Sequence, residues 1–351
     1  MRVGIPTEIK NNEYRVAITP AGVAELVHRG HEVIIQSGAG EGSAISDADF
    51  KRVGAQLISG ADQVWAETEL LLKVKEPIEA EYNRMRNGQT LFTYLHLAAS
   101  RPCTDALMAS GTTSIAYETV QTANPDGSVA LPLLAPMSEV AGRLSAQVGA
   151  YHLMRSHGGR GVLMGGVPGV APADVVVIGG GTAGYNAARV AAGMGAHVTV
   201  FDVNINKLRE VDAEFGGRIQ TRYSSILELE DAVKKADLVI GAVLVDIAID
   251  QGGCFEDSRP TTHDDPTFAV HDTLFYCVAN MPGAVPRTST YALTNATMPY
   301  VLKLADKGFK AACQSDPALA KGLSTHGGEL LSEQVAADLD LPYTDPASVL
   351  A

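Results

Sequence analysis

No apolar stretch in this chain is long enough to cross a bilayer. The longest, Leu238 to Ile249, is interrupted by Asp246, and a spanning helix takes about 20 apolar residues. The opening MRVGIPTEIK carries no hydrophobic core of signal-peptide type, so the expectation is a cytoplasmic protein with no membrane partner. Cysteine is scarce. Cys103, Cys254, Cys277 and Cys313 stand far apart, with no Cys-x-x-Cys pair and no histidine at metal-ligand spacing. They read as small apolar residues of a reduced compartment, and no zinc site is expected. Positive charge is also short: the formal net charge is -13, which argues against a nucleic-acid partner or an anionic membrane surface. An anionic substrate stays open, because one or two local Arg or Lys side chains decide that. No internal repeat or low-complexity segment stands out.

What is present is an ordinary globular composition, 46% hydrophobic and 19% charged, over a length that allows two domains. The 35 glycines cluster in a few loops. Strand-like and helix-like segments alternate from the start. After RVGI comes a loop, then a helix with Thr19 as N-cap, Pro20 at its first position and Gly30 at its end. HEVIIQSG alternates like a strand, and the pattern continues through AQLIS, ELLLKVK, QTLFTYLH and TTSIAYETV. Residues 137 to 156 read as one long helix, followed by a Gly- and Pro-rich loop. A second α/β region runs from Asp174 to about Pro286, and two helical patterns, MPYVLKLADKG and GGELLSEQVAADL, close the chain. Strands alternating with helices predict an α/β fold with parallel sheets.

The strongest local signal is ADVVVIGGGTAGYNAARVAAGMGAHVTVFD. A buried apolar strand enters Gly179-Gly180-Gly181-Thr182-Ala183-Gly184, an Ala-rich helix follows, and a second strand ends at Asp202. Gly179 suits the tight turn, Gly181 a close backbone approach to a pyrophosphate, and Gly184 close packing of helix on strand. The helix N-terminus offers partial positive charge to the phosphates. Asp202 can accept from ribose hydroxyls and would repel a 2′-phosphate, which favours NAD over NADP. A Gly-rich turn in an unrelated fold gives no reason for an acid at the tip of the second strand.

The first half offers candidate chemistry. Lys73 and Lys75 are two apart on an apolar strand and share a face. His96 ends the strand QTLFTYLH, and Arg15 lies in a loop near the end of the first strand. In parallel sheets, ligand clefts form beyond the carboxyl ends of the strands, so Lys75 and His96 can meet there. A solvated lysine and a core-edge histidine remain the plain alternative, as does a solvated Arg15, whose fork suits a carboxylate only if it faces the same cleft.

The segments MRVGIPTEIKNNEYRVAITP, LLLKVKEP, LFTYLHLA, ETVQ, LLAPMSEVAGRLSAQVGAYHL, GGVPGV, GGGTAGYNAARVA, DIAIDQGGCFE and NMPGAVPRTSTYALTNATMPY resemble the alanine dehydrogenase family, in order and across almost the whole chain. That family includes the NAD-binding subunit of proton-pumping transhydrogenase. The resemblance implies NAD-dependent oxidative deamination of L-alanine to pyruvate and ammonia, and its reverse. It implies two Rossmann-like parallel-sheet domains. The NAD domain (133–286) would be inserted into a discontinuous substrate domain (1–132 and 287–351), the last part closing it as helices. It implies a homo-oligomer, a hexamer. Arg15 and Lys75 would bind substrate, and His96 and Asp250 would be catalytic. Besides Gly179, Gly181, Thr182, Ala183, Gly184 and Asp202, the NAD contacts would be Ser138, Lys207, Ser224, Val243, Leu244, Ile247, Arg259, Val278, Asn280 and Met281.

Two departures from the family are visible. Val245 runs straight into Asp246, where the family has a loop, a helix and a second strand leading into DIAIDQGG, so roughly two dozen residues are absent. Leu238 to Ile249 can make one strand, whereas two parallel strands need a crossover of about a dozen residues. The NAD domain should therefore be short of one crossover. Alternative readings are a transhydrogenase-like NAD subunit and an NAD-binding scaffold without catalysis. The second departure is Lys303 and Lys307, where some members carry an acid and a histidine suited to a divalent cation. No metal is expected.

Overall fold

Short apolar runs closed by turn residues make a sheet whose strands are covered on both faces, as parallel strands between helices must be. They are β1 (Arg2–Ile5), β2 (Glu32–Gln36), β3 (Gln56–Ile58), β4 (Leu70–Leu72), β5 (Thr90–Thr93) and β6 (Thr113–Ala116). Leu70, Leu71 and Leu72 are all fully buried. A small antiparallel pair follows, β7 (Thr122–Ala123) with β8 (Val129–Ala130). The chain then builds a second sheet from β9 (Asp174–Ile178), β10 (His197–Asp202), β11 (Ile219–Tyr223), β12 (Leu238–Gly241), β13 (Val245–Asp246), β14 (Thr267–Val270) and β15 (Thr273–Tyr276). It returns to the first sheet with β16 (Leu323–His326) and β17 (Glu329–Leu330). The structure is a computed structural model and describes residues 1–124, 127–241, 245–246, 257–270 and 273–351.

Two compact units result, residues 1–136 with 285–351, and residues 137–284. The sheet of the first runs β17-β16-β6-β5-β4-β1-β2-β3, and that of the second runs β11-β10-β9-β12-β13-β15-β14. β1 to β6 are mutually parallel, as are β9 to β13. Each is a doubly wound sheet whose building direction reverses once, between β1 and β4 and between β9 and β12. Such a reversal opens a crevice beyond the carboxyl ends of the strands. Both Rossmann-like domains are thus present, one of them discontinuous in sequence.

Local sequence accounts for the element ends. Thr19 caps the helix Pro20–His28 by accepting from the Gly22 amide, a contact worth about 1 kcal/mol, and Gly30 leaves it at φ +84°. The long helix spans Ala135–His152 rather than 137–156. The glycines that follow fold the chain back on its end, with the Gly159 and Gly161 amides donating to the Met154 and Leu153 carbonyls.

Three expectations need correction. The closing segment GGELLSEQVAADL is a helix only over Glu333–Leu339. Gly327 and Gly328 both have positive φ (58° and 96°), so they form the two-residue turn that pairs β16 with β17, His326 opposite Glu329. The last part of the chain therefore adds strands as well as helices to the first sheet. Next, β5 stops at Thr93, so His96 lies beyond the strand and not on it. Finally, Leu238 to Ile249 is not one strand. β12 ends at Gly241, with φ of 152°, and β13 takes the next place in the sheet, Ile240 beside Val245 and Gly241 beside Asp246. Only residues 242–244 separate them in sequence, fewer than the dozen or so that a crossover between parallel strands takes. A cavity of about 610 Å³, lined among others by Leu238, Val239, Val245 and Phe275, adjoins this shortened stretch.

Candidate active site

In the first unit, four chain segments leave the carboxyl ends of β1, β4, β5 and β6, and each carries a charged or titratable side chain. After β4, Lys75 is buried (8% exposed), and its Nζ lies 3.3 Å from His96 Nε2, beyond β5. Burial and then the Lys75 charge push the His96 imidazole down to about 4, with Glu76 pulling the other way. The ring is therefore neutral near pH 7, with a lone pair available to take a proton. Burial also lowers Lys75, helped by the nearby charges of Arg15 and Lys10. Glu76 opposes this and is itself held below the ordinary carboxylate range. Burial raises it, but Lys75 and Lys10 outweigh that, and Lys10 forms an ion pair with it.

Arg15, on the segment after β1, is not a solvated charge. It is 2% exposed, and Glu13 meets its fork, Nε to Oε1 at 2.7 Å and an Nη to Oε2 at 2.6 Å. Burial works against the guanidinium charge and Glu13 more than restores it. Lys73 has a different fate from Lys75. It is 1% exposed, with its Nζ 3.0 Å from Glu8 and 2.9 Å from Glu81, while Glu8 also accepts from the Val74 amide at 2.6 Å. A lysine between two carboxylates pins the segment leaving β4 to that leaving β1. The Tyr94 ring stacks on the His96 ring at a centroid distance of 5.9 Å, and its hydroxyl donates to the Leu133 carbonyl at 2.6 Å.

His96 itself has φ 47° and ψ 42°, the left-handed region that costs a non-glycine residue about 1–2 kcal/mol. Glu118 accepts from the His96 amide at 2.6 Å and from the Leu95 amide at 3.1 Å. The sequence reading brought out Arg15, Lys75 and His96, and the fold brings them together. It passed over Glu8, Glu13, Glu76, Glu81 and Glu118, which are acids in mixed polar segments. Glu13 and Glu76 stand near basic residues, in EYR and KVKE, whereas Glu118, in YETVQ, has no such neighbour to mark it.

In the second unit, β9 runs into the glycine loop and the helix Thr182–Gly193 begins at once, with no side-chain cap on its free amides. Gly179 has φ 93°. A Cβ on Gly184 would sit 1.8 Å from the Gly179 carbonyl oxygen, whereas one on Gly181 would meet nothing within 4 Å. The loop is thus closed on its inner side and open at the position where a pyrophosphate needs backbone. These residues fit a dinucleotide. The helix Ala135–His152, which carries Ser138, presses on the same turn, since a Cβ on Gly142 would reach the Ala183 oxygen at 2.1 Å. Asp202 accepts from the Gly180 amide on one oxygen and from the Asn204 amide on the other, both at 2.6 Å. Each oxygen keeps capacity for a ribose hydroxyl.

Other expected contacts are more scattered. Lys207 lies beside the loop, its Cβ close to Gly180, and pairs with Glu210. The Ser224 amide donates to the Asp202 carbonyl. Arg259 stacks its guanidinium 4.4 Å above the Phe268 ring. Val278 and Met281 are each 2% exposed, and the Asn280 carbonyl lies 2.8 Å from His263 Nε2. Val243, Leu244, Ile247 and Asp250 lie outside the described residues. Lys303 reaches Asp316 at 2.5 Å and Lys307 reaches Ser315. Among the described residues no helix is long and apolar enough to cross a membrane.

Comparison with known proteins covers the whole chain. The family pattern described as alanine dehydrogenase/PNT, N-terminal domain, matches residues 4–141. The corresponding C-terminal domain matches residues 145–245 and again 241–333. An alanine dehydrogenase of Mycolicibacterium smegmatis is 80% identical over 375 aligned positions, covering all of both chains. Set against the 351 residues of this chain, that alignment holds two dozen positions with no counterpart here. The family pattern breaks at residues 241–245, which match it twice. The solved structure of an L-alanine dehydrogenase superposes with TM-score 0.91 at 48% identity, covering 97% of this chain and 99% of the other. A transhydrogenase from Sinorhizobium meliloti shares the fold at TM-score 0.76 and 20% identity, over 95% and 100%.

Proposed function

The chain belongs to the alanine dehydrogenase/PNT family, and on that premise we propose that it carries out NAD-dependent oxidative deamination of L-alanine to pyruvate and ammonia, and the reverse. NAD, when bound, accepts the hydride that leaves alanine Cα. The first unit handles the amino acid. Arg15, kept charged by Glu13, takes the substrate carboxylate, which suits the planar fork of a guanidinium. Lys75 faces the group at Cα and stabilises negative charge on the carbonyl oxygen in the reductive direction. His96, neutral at working pH, accepts the proton of the alanine ammonium and passes it to solvent; neutral again, it takes a proton from the water that adds to the imino carbon and gives it to the nitrogen that leaves as ammonia. Asp250 is assigned a second proton-handling role by family resemblance. In the second unit, the amides opening the helix Thr182–Gly193 take the pyrophosphate and Asp202 the adenosine ribose, which disfavours a 2′-phosphate.

The observation that carries this reading is the His96 ring nitrogen Nε2 held 3.3 Å from Lys75 Nζ at the carboxyl ends of the strands. The test is NADH formation from L-alanine by the purified chain, with other amino acids as controls. Absence of NADH, with NAD binding intact by calorimetry, would overturn it. That result would favour a second reading, an NAD-binding protein without turnover, for which the missing two dozen residues are the specific support. We place the protein in the cytoplasm as a homo-hexamer, on family resemblance. Light scattering should then report six times the 36.8 kDa chain mass.

A further inference from the structure

The segment ETVQ, whose acid has no role in the chemistry above, contains Glu118, and the strand ladder explains its place. β5 and β6 pair in register as far as Thr93 beside Ala116. Beyond that, the chain after β5 is still held on its other side, where the Tyr94 amide donates to the Val74 carbonyl. On the β6 side the ladder fails, because the backbone winds into a tight turn over Tyr117–Thr119. The amides of Leu95 and His96 would then lack the carbonyls that a longer β6 would have supplied. The Glu118 carboxylate stands in for them. It accepts from the Leu95 amide on both oxygens, at 3.1 and 3.2 Å, and from the His96 amide at 2.6 Å.

We propose that Glu118 is a positioning residue for the reaction: its carboxylate clamps two successive amides, holds His96 in its left-handed conformation, and so keeps the imidazole against Lys75. The inference rests on the reading of His96 as the proton carrier. The conformation is one that L-residues avoid, and a preceding or following glycine does not relieve it, since Leu95 and Leu97 flank His96. An acceptor with two oxygens and a full charge is what two convergent N–H donors need. Burial raises Glu118 above the ordinary carboxylate range, and the donated amides oppose this. The groups bearing on the imidazole are Lys75, Glu76, Lys10 and Arg15 by charge and the Tyr94 ring by stacking. Glu118 thus acts on the main chain of His96, whereas the charges that set its proton affinity come from elsewhere.

Glu118→Gln keeps size and one acceptor oxygen, while its amide group cannot accept. Glu118→Asp keeps the charge but withdraws it by one methylene. Both are to be compared with the parent by the pH dependence of kcat for alanine oxidation, by NMR titration of the His96 ring, and by Tm. In the parent the acid limb follows the ring, near 4. Once the clamp is loosened, the ring leaves Lys75 and its burial, so both the limb and the NMR titration move up, towards the ordinary value of about 6.5. Loss of positioning should cut kcat by about a hundredfold, with the affinity for NAD unchanged and Asp partly restoring the rate. A titration that stays near 4 in the Gln variant, whether Tm falls or not, overturns the proposal. So does a downward shift, which would mean that Glu118 acts by its charge. The NMR arm needs no turnover. If His96 proves not to be the proton carrier, the limb fails to follow the ring while the ring still reports on the clamp.

Discussion

The two units use the same sheet topology and build opposite kinds of site at the ends of their strands. In the first, the segments after β1, β4, β5 and β6 carry buried charge: Arg15 with Glu13, Lys73 with Glu8 and Glu81, Lys75 beside His96. In the second, the segment after β9 carries three glycines and bare amides, and Asp202, at the end of the neighbouring β10, is held by two of the backbone N–H groups around it. Proton transfer from a small amino acid needs side chains whose proton affinity is tuned, and tuning needs burial and neighbours. Holding a long diphosphate needs close approach and partial charge, which backbone supplies when side chains are removed.

That contrast can be broken from either side. The largest effect belongs to His96→Ala, which should lower turnover of alanine by about 10²–10⁴-fold while calorimetry finds NAD affinity unchanged. Near-normal alanine oxidation would take His96 out of the mechanism. Next comes Lys73→Met. It leaves Glu8 and Glu81 buried without their cation, so it should cost about 3–5 kcal/mol of stability, read as a fall in the denaturation midpoint. An unchanged midpoint would mean that the triad is not the buried pin described here.

In the second unit two neighbouring glycines should separate cleanly. Gly184→Ala drives a methyl to 1.8 Å from the Gly179 oxygen, so it should destabilise by about 1–3 kcal/mol and weaken NAD binding with it. Gly181→Ala meets no atom within 4 Å. It should leave Tm alone and raise the Kd for NAD by about tenfold, roughly 1.4 kcal/mol. Equal effects of the two on Tm would show that the loop is not closed on one side and open on the other.

The sequence was informative where function depends on backbone. The glycine loop, its helix and Asp202 follow each other within residues 179–202, and their spacing alone implied a dinucleotide site. Along the same chain, apolar runs separated by helical patterns were enough for two parallel α/β sheets. The hairpin of β16 and β17 was missed because Gly327 and Gly328 stand next to a run that also fits a helix. The end of β5 was missed because Tyr94, Leu95 and His96 keep the alternation of a strand after the ladder has stopped.

The amino-acid sequence by itself determined the order of strands and helices, the nucleotide loop, and the absence of a crossover before Asp246, since these depend on neighbours along the chain. Only the tertiary structure decided the charges of the first unit. Glu8, Lys73 and Glu81, or His96 and Glu118, lie on separate segments, and nothing local states that they meet. The proton affinities of Glu8, Lys73, His96 and Glu118 are set by burial and by neighbouring charges and amides, and these neighbours come together only once β1, β4, β5 and β6 lie side by side.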